Sequence, residues 1–403
     1  MNEWPEDEIN LRFTEPAASY DVVIVGGGGH GLSTAYHLAT RHDITSVLVL
    51  DRGYIGGGNS GRNTTVIRAN YGIPEAVRFY QHSIDLYSEL EVETGRSVLH
   101  DTKGLLWMAH SESGVRRERA RASVNRAFGT ATDYLEPAEI SAMCPEIDLE
   151  VGGDFPAVTG ASLHHHAATA RHDRVVWALA EGAMRRGVDV AQGVEVVGLR
   201  RAGGKVVGVE TSRGSISAGT VLSAVGGHAT TLAAMVGVRL PIRTHPLQAF
   251  VTNRYRRRFD PIVASGDLGF YVSQTARGQM LLGAEIDRQP SYSRRSTHDL
   301  LASLAHRAIS VLPFMRDLRV LRQWTGSCDM SPDYSPIMGA SGIEGFLLTT
   351  GWGTWGFKAI PAAGEAMASL IATGTVPDLI APFALDRFER DRTLADRGSA
   401  GTH

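Results

Sequence analysis

Residues 19–52 constrain the fold of this chain more than any other stretch. Residues 21–25 (DVVIV) form a short apolar, β-branched run, typical of a strand buried on both faces of a parallel sheet. Gly26, Gly28 and Gly31 then follow the pattern G-x-G-x-x-G. The first glycine permits a tight turn, the second lets the backbone approach a pyrophosphate, and the third lets a helix pack close to the strand.

A helix and a second strand complete this unit. The helix is predicted from His30 to about Arg41, with its first N–H groups directed at the phosphates. Residues 47–50 (VLVL) predict the next buried strand, and Asp51 ends it where a carboxylate binds a ribose hydroxyl. Four consecutive glycines would be a destabilising way to build a turn that binds nothing. The order strand, turn, helix, strand and acid predicts a dinucleotide site.

Composition and charge exclude several classes of protein. The net charge of -3 over 403 residues argues against nucleic acid or an anionic membrane as the main partner. Two distant cysteines, Cys144 and Cys328, form no disulfide framework and fit a reducing compartment. No apolar run reaches membrane length, and residues 1–13 do not resemble a signal peptide, so we predict a cytoplasmic enzyme. The three successive histidines at 164–166 cannot easily converge on one ion, so we predict no metal site.

A second glycine-rich turn lies near the other end of the chain. Residues 346–350 predict a buried strand, residues 351–358 (GWGTWGFK) a turn, and a helix follows to about residue 372. Two such turns imply a long cofactor held along its length, which indicates FAD rather than a nicotinamide nucleotide. The glycine-rich loop after Asp51 carries Arg62 and Arg68, and we predict that it contacts the cofactor rather than being a plain surface loop.

The remaining segments predict a second, mostly antiparallel layer. Alternating strands occur between residues 239 and 322, interrupted by a helix at 296–312. We predict an α/β protein in which a Rossmann-type FAD-binding domain is interleaved with an α+β substrate domain built on a mostly antiparallel sheet. The predicted ranges are 1–18 for an N-terminal arm, 19–95 with 155–235 and 325–390 for the FAD-binding domain, 96–154 with 236–324 for the substrate domain, and 391–403 for a C-terminal tail.

Five longer motifs resemble those of the beta subunit of heterotetrameric sarcosine oxidase. They are GGGGHGLSTAYHLA from residue 26, GGGNSGRNTTVIRANY from 56, ARHDRVVW from 170, LPIRTHPLQAFV from 240 and GWGTWGFKA from 351. The likeness runs from about residue 20 to 388. The wider group includes monomeric sarcosine oxidase, glycine oxidase and D-amino-acid oxidase.

The resemblance implies both a reaction and a set of cofactor-binding residues. It implies oxidation of the C–N bond of a small secondary or N-methylated amino acid, such as sarcosine or a cyclic imino acid, by hydride transfer to flavin N5. O2 or another acceptor would then take the electrons. The residues it implies for FAD are Gly26, Gly28, His30, Gly31, Asp51, Asn59, Arg62, Asn63, Thr64, Val196, Gly353 and Gly356.

Three further residues are predicted to be catalytic. In the resembling oxidases, the positions of Arg68 and Lys358 meet over the flavin ring, where an arginine fork and a lysine charge would bind the substrate carboxylate. The alternative for each is an ordinary surface cation or a contact to flavin phosphate. Tyr271 lies on a predicted substrate-domain strand, where it faces either the pocket or the core.

Three departures from the resembling proteins bear on the chemistry. Residues 279–283 (QMLLG) lack the lysine that assists O2 in monomeric sarcosine oxidase. Trp355 stands where a glycine is expected, which predicts a narrower active site. Cys328 lies near the position of covalent FAD attachment in the monomeric enzymes, but its neighbours match poorly, so we predict a plain buried cysteine.

His172 is a candidate for covalent attachment of a second flavin, FMN. The sequence A-R-H-D at a helix start is the form in which the resembling beta subunits attach FMN. Residues 166–168 (HAA) replace two small glycines and, with Trp355, would crowd a second flavin, so a plain hydrogen-bonded histidine is the alternative. Three functions therefore stay open: an enzyme acting on its own substrate, a subunit that relays electrons to a second flavin alongside partner subunits, and a non-catalytic flavin-binding scaffold.

Overall fold

The structure is a computed structural model that describes residues 9–394. Within this range the chain forms two eight-stranded sheets and one three-stranded sheet, with helices packed against them. The predicted α/β class, with a Rossmann-type sheet and a mostly antiparallel second sheet, is confirmed. The first part of the predicted arm (1–8) and most of the predicted tail (395–403) lie outside the described residues.

Strands and helices are interspersed along the whole described chain. The strands are β1 (Ser19–Val25), β2 (Val47–Asp51), β3 (Val66–Ile67), β4 (Asp101–Thr102), β5 (Leu105–Ala109), β6 (Thr132–Leu135), β7 (Gly160–His164), β8 (Ala168–Thr169), β9 (Asp189–Gln192), β10 (Val196–Ala202), β11 (Lys205–Thr211), β12 (Gly214–Ser223), β13 (Arg243–Arg254), β14 (Ile262–Ser265), β15 (Phe270–Gln274), β16 (Gln279–Ile286), β17 (Val320–Met330), β18 (Ile337–Ala340) and β19 (Phe346–Thr350). The helices are α1 (Gly29–Arg41), α2 (Pro74–Thr94), α3 (Glu112–Ala127), α4 (Pro137–Met143), α5 (His172–Arg185), α6 (Ala229–Ala234), α7 (His298–Val311) and α8 (Ile360–Thr373).

The first sheet has a parallel centre. β9, β2, β1, β12 and β19 run parallel to their neighbours, and β10, β11 and β18 extend the sheet in antiparallel fashion. β1 pairs with β12 from Ser19 opposite Ser217 to Val25 opposite Ser223. On the other side of β12, β11 pairs with its first half and β19 with its second.

Alternating side chains of the first sheet fill two separate cores. Val22 and Ile24 of β1 pack with α1, α2, α5 and α8, whereas Val23 and Val25 face α6 and the β10–β11 hairpin. Because successive side chains of a strand point to opposite faces, an uninterrupted apolar strand requires cover on both sides. This arrangement explains why the centre of β1 has no polar residue.

The second sheet has the order β17-β13-β16-β15-β14-β5-β7-β6. Among its described pairs only β14 with β5 is parallel, as expected for a mostly antiparallel layer. α7 covers one face, where Leu304 and Ala308 pack with Phe270 and Leu282. The small sheet has the order β3-β8-β4, and its strand β3 lies between β2 and α2 in the chain.

Two strands of the second sheet lie in segments that were predicted to belong to the FAD-binding domain. β7 and the end of β17 pair in the second sheet, and their residues fall in the predicted ranges 155–235 and 325–390. Local pattern does not reveal such pairings, because they depend on distant segments. The division into domains stays a prediction.

Candidate active site

The three glycines of the first turn have different surroundings. Gly26 has φ +116°, and a Cβ there would lie 2.4 Å from the carbonyl oxygen of Ala224. A Cβ on Gly31 would lie 2.1 Å from the carbonyl oxygen of Gly26, so α1 packs directly on the turn. A Cβ on Gly28 would meet only the Ser60 hydroxyl, at 3.3 Å, and Gly28 lines a cavity. The backbone of the turn therefore needs Gly26 and Gly31, and Gly28 stays open to a ligand.

This cavity, which we call the nucleotide cavity, has a volume of about 390 Å³. It lies at the carboxyl ends of β1, β2 and β12, where α/β sheets bind nucleotides. Most of the predicted FAD residues line it, namely Gly26, Gly28, His30, Asp51, Asn59, Arg62, Asn63, Val196, Gly353 and Gly356. Residues of both glycine turns therefore line one cavity, as a long cofactor requires.

Asp51 and Ser60 hold the turn together. Asp51 accepts hydrogen bonds from the N–H groups of Gly27, at 3.0 Å, and Gly53, at 2.8 Å. Burial raises the pKa of Asp51, and these two N–H groups oppose the rise. Ser60 accepts a bond from the N–H of Gly29 at 2.9 Å, which satisfies one of the free donors at the start of α1. A ribose contact by Asp51 stays a prediction.

His30 links α1 to the second glycine turn. Its Nε2 donates to the carbonyl of Gly356 at 2.9 Å, and its ring stacks on Trp352 with centres 4.2 Å apart. Burial lowers the pKa of His30 to about 3, so the ring is neutral and carries its proton on Nε2. Nδ1 is then an acceptor, and it has no hydrogen-bond partner among the described residues. An acceptor in this wall of the nucleotide cavity fits a hydroxyl of a cofactor.

The loop after β2 is fastened to the second sheet. The Asn59 amide pairs with the backbone of Ser327, accepting from its N–H at 2.9 Å and donating to its carbonyl. Arg62 donates to two carbonyls of its own loop, and Asn63 accepts from the N–H of Thr65. These bonds hold the loop where the two sheets meet.

Asp329, which sequence analysis missed, shapes the second glycine turn. It accepts hydrogen bonds from the N–H groups of Gly351, at 2.7 Å, and Trp352, at 3.3 Å, and from the hydroxyl of Thr350. Burial raises the pKa of Asp329 to about 6, against the effect of these donors. No local motif marks this residue, because its partners come from a different strand.

A second cavity, the substrate cavity, has a volume of about 130 Å³ and continues the first. Its wall is largely apolar, with side chains from β5, β13, β14 and β15. Thr64, predicted to bind FAD, lines this cavity rather than the nucleotide cavity. The residues that line both cavities are Asn59, Arg62, Asn63, Ser327 and Gly353.

Arg68 is a buried cation in the wall of the substrate cavity. Its guanidinium donates to the Asn70 side chain at 2.9 Å. Its Cζ also lies 4.4 Å from the ring centre of Tyr71 and 4.9 Å from that of Trp107. Cation–π contacts to two rings, together with the bond to Asn70, restrict the position of the guanidinium.

Lys358 is the second buried cation of this cavity. Its ammonium donates to the carbonyl of Thr354 at 3.1 Å. Burial lowers the pKa of Lys358 well below its usual range, and the positive charge of Arg68 adds to the effect. The structure therefore brings together two cations that lie far apart in the sequence.

Tyr271 also lines the substrate cavity. Its hydroxyl is 2.6 Å from that of Thr64, and a Cβ on Gly283 would lie 2.1 Å from it, so only glycine leaves room for this ring. Burial raises the pKa of Tyr271 to about 12, which keeps the hydroxyl protonated.

Cys328 is buried and forms no disulfide, as predicted for a plain buried cysteine, and its thiol lies 3.4 Å from the sulfur of Met330.

Trp355 does not narrow the active site, contrary to the prediction. Its ring is 1% exposed and packs against Tyr71 and Tyr80 in the core below the first sheet. It lines neither the nucleotide cavity nor the substrate cavity. A tight helical turn at Gly353–Trp355 directs the indole inward, and a residue pattern cannot show this direction.

His172 lies at the start of α5 and lines neither cavity. Burial lowers the pKa of His172, and its Nδ1 is buried without a hydrogen-bond partner among residues 9–394. Its neighbour Asp173 is engaged by the guanidinium of Arg171. Nδ1 also lies 3.9 Å from a carboxylate oxygen of Asp173, so the ring is a neutral imidazole with one buried nitrogen that makes no hydrogen bond to a described residue.

With this geometry established, comparisons identify the family. A profile of the DAO family, described as FAD dependent oxidoreductase, matches residues 21–370. The chain belongs to this family. It is 40% identical over 386 residues to the sarcosine oxidase subunit beta of Arthrobacter sp, covering 96% of this chain and 95% of that one. It is 41% identical to the Rhizobium meliloti (strain 1021) protein of the same name, covering 96% and 92%. The resemblance to sarcosine oxidase beta subunits is confirmed.

Solved structures share the fold of this FAD-dependent oxidoreductase. L-proline dehydrogenase from P. horikoshii superimposes with a TM-score of 0.87 at 27% identity, covering 93% of this chain and 99% of that one. Glycine oxidase from Geobacillus kaustophilus, at 24% identity and a TM-score of 0.82, covers 92% and 99% and shows the fold alone. FAD as the cofactor is confirmed by the family, and the open Gly28 and the free Nδ1 of His30 fit it.

Within the described residues, the chain has neither a membrane-spanning helix nor a cluster of metal-binding side chains. No helix in residues 9–394 is long and apolar enough to cross a bilayer. Within the same range, no group of three or more His, Cys, Asp or Glu side chains is placed to hold a metal ion.

Proposed function

We propose that this FAD-dependent oxidoreductase oxidises the C–N bond of a small secondary or N-methylated amino acid. The observation that carries the proposal is the pair of buried cations, Arg68 and Lys358, in a mostly apolar cavity that continues the nucleotide cavity. The relatives named sarcosine oxidase subunit beta and L-proline dehydrogenase support an amino-acid substrate of this class.

The two cations have complementary tasks in this proposal. Arg68 offers a planar fork for the two carboxylate oxygens, and Lys358 adds a charge. Since burial and Arg68 both depress the pKa of Lys358, a bound carboxylate would raise it again, so anion binding and protonation of Lys358 are coupled. The cations therefore select an anionic end on the substrate.

The rest of the substrate cavity favours an apolar group beside a neutral amine. Leu247, Ile262 and Phe270 form part of its wall, and no Asp or Glu among the described residues lines it. An ammonium would lack a counter-charge next to two cations, so the amine is bound in its neutral form. FAD, when bound, accepts the hydride at N5. Tyr271, held by Thr64, closes the side of this cavity.

Anaerobic reduction of the purified protein tests the proposal. We expect sarcosine or L-proline to bleach the flavin absorbance of the wild type. Lys358→Met should require a much higher substrate concentration, whereas Lys205→Met, at an exposed ion pair with Glu344, should behave as the wild type. A flavin-loaded protein that no amino acid reduces would support the scaffold alternative instead. Residues 279–283 contain no lysine that could assist O2. Reoxidation rates of the reduced flavin with O2 and with other acceptors would show which acceptor the protein uses.

A second candidate is a subunit that passes electrons to FMN held by His172. It is supported by the names of the relatives, which are subunits, and by the neutral His172 ring, whose Nδ1 makes no hydrogen bond to a described residue. Intact-mass spectrometry of acid-precipitated protein made with its partner subunits tests it. We expect the added mass of one FMN, lost in His172→Ala, and a bare polypeptide mass would contradict it. Partner subunits and a cytoplasmic location remain part of the proposal.

A further inference from the structure

The two proposed clamp cations are joined by buried aromatic rings. The guanidinium carbon of Arg68 lies 4.4 Å from the ring centre of Tyr71, and the ring centre of Trp355 lies 4.6 Å from the same ring at 60°. Tyr71 is 0% exposed and Trp355 1%. Trp355 and Lys358 belong to successive turns of one tight helical segment, and the Lys358 ammonium bonds the Thr354 carbonyl.

Tyr71 is held on both faces of its ring. Tyr80 stacks on it with centres 4.4 Å apart and planes 27° from parallel. One face of a ring accommodates one partner at such a distance, so Arg68 and Tyr80 occupy opposite faces. The indole of Trp355 meets the same ring in an edge-to-face arrangement and also contacts Tyr80. Tyr71 therefore cannot tilt without displacing Arg68.

We propose that Tyr71 and Trp355 are positioning residues, an aromatic bridge that fixes Arg68 relative to Lys358. The inference rests on the proposed function. A fork that makes two parallel hydrogen bonds tolerates little displacement, and misplacement of a binding group by about 1 Å is costly. Neither bridge residue lines the substrate cavity or the nucleotide cavity, so the bridge acts from behind the cavity walls rather than by contact with a ligand.

The bridge also explains a departure noted in the sequence. A glycine, which was expected at the position of Trp355, would leave Tyr71 without its indole neighbour. In this chain the indole fills that space, so the clamp should be more rigid than with glycine. Trp355 thus acts on substrate binding from the core rather than from the cavity wall.

The test uses FAD-loaded full-length protein and tetrahydrofuran-2-carboxylate, which carries a carboxylate but has no amine to oxidise. Binding is measured from the flavin absorbance change. Trp355→Leu should raise the Kd about tenfold, and Trp355→Phe less, because it keeps an aromatic ring. Tetrahydrofurfuryl alcohol, which lacks the carboxylate, should bind equally to all variants. Phe259→Leu is the matched control, because Phe259 is also buried but packs on Phe314, away from Tyr71 and Trp355.

A double-mutant cycle distinguishes positioning from general loosening. If the bridge acts through Arg68, Trp355→Leu should add no further loss in an Arg68→Ala background. Additive losses, an unchanged Kd in Trp355→Leu, or an equal loss in Phe259→Leu would overturn the proposal. If Arg68→Ala itself leaves the Kd unchanged, the clamp of the proposed function is wrong, and this result is separate from a failure of the bridge alone.

Discussion

The nucleotide cavity and the substrate cavity are assembled in different ways. Gly26, Gly28 and Asp51 belong to one continuous β1–α1–β2 unit, and their spacing follows from the geometry of a single turn. Arg68 follows β3 of the small sheet, whereas Lys358 lies in a helical turn between β19 and α8, so the two line one cavity only after distant segments pack together. A local unit can be recognised from spacing, whereas a site built across sheets depends on packing that no spacing encodes.

The largest expected effect tests the β1–α1–β2 unit, which is the part of the site that spacing alone predicts. Gly28→Val would place a branched side chain in the nucleotide cavity, where only the Ser60 hydroxyl lies near. We expect FAD affinity, measured by flavin fluorescence, to fall by at least about 100-fold while the fold is retained. Gly198→Val, on an outer strand with ordinary contact to Glu210, is the control. Full FAD occupancy in Gly28→Val would refute the assignment.

Asp329 tests the segment where the two cavities meet. Because its folded pKa is raised to about 6, the folded state binds its proton more tightly than the unfolded state does. The associated stability is present at low pH and is lost as pH rises from about 4 through 6. Relative to Asp329→Asn, the wild type should lose about 3 kcal/mol of unfolding free energy between pH 3 and 8, roughly half of it above pH 5.

Urea unfolding at saturating FAD, at several pH values, measures this difference. The comparison removes the contribution of other titrating groups, since they are common to both proteins. A constant difference between wild type and Asp329→Asn from pH 5 to 8 would show that Asp329 does not titrate in this range.

Arg68 tests the half of the site that depends on packing. Arg68→Ala should weaken the binding of tetrahydrofuran-2-carboxylate by about 1.5–3 kcal/mol, the usual size of a hydrogen bond to a charged group. Arg68→Lys should recover only part of the loss, since lysine cannot form the fork. Arg254→Ala, at the exposed end of β13, is the control. If Arg68→Ala binds tetrahydrofuran-2-carboxylate as tightly as the wild type, Arg68 does not bind the substrate carboxylate.

The smallest expected effect concerns Ser60. Ser60→Ala leaves the N–H of Gly29 without its side-chain acceptor and should cost about 1 kcal/mol of unfolding free energy. Ser111→Ala, which removes the equivalent bond to Gly114 at the start of α3, should cost a similar amount. Only Ser60→Ala should also weaken FAD binding. If both variants bind FAD with the same affinity, the bond from Gly29 to Ser60 does not contribute to FAD binding.

The sequence predicted the elements better than their partners. The bounds of α1 and β19 agree with the predicted ranges to within one residue, because a glycine turn before a helix and a buried apolar run are strong local signals. The pairing of β7 was not predicted, and Trp355 was predicted to narrow the active site although it packs in the core, since each feature depends on segments distant in the sequence. Asp329 was missed for the same reason, because the groups that donate hydrogen bonds to it belong to the end of β19 and to the turn that follows.

The position of β12 between β1 and β19 has a consequence for the biosynthesis of this protein. β12 cannot gain its last parallel neighbour until residue 350 has left the ribosome, and Gly353 and Gly356 of the nucleotide cavity emerge later still. At ~5–20 residues per second, synthesis of the segment from β1 to β19 takes on the order of tens of seconds. During that time the second half of β12 is an open strand edge, which is prone to pairing with other chains. FAD capture is therefore a late event, and a nascent chain is most exposed to aggregation before its last strand arrives.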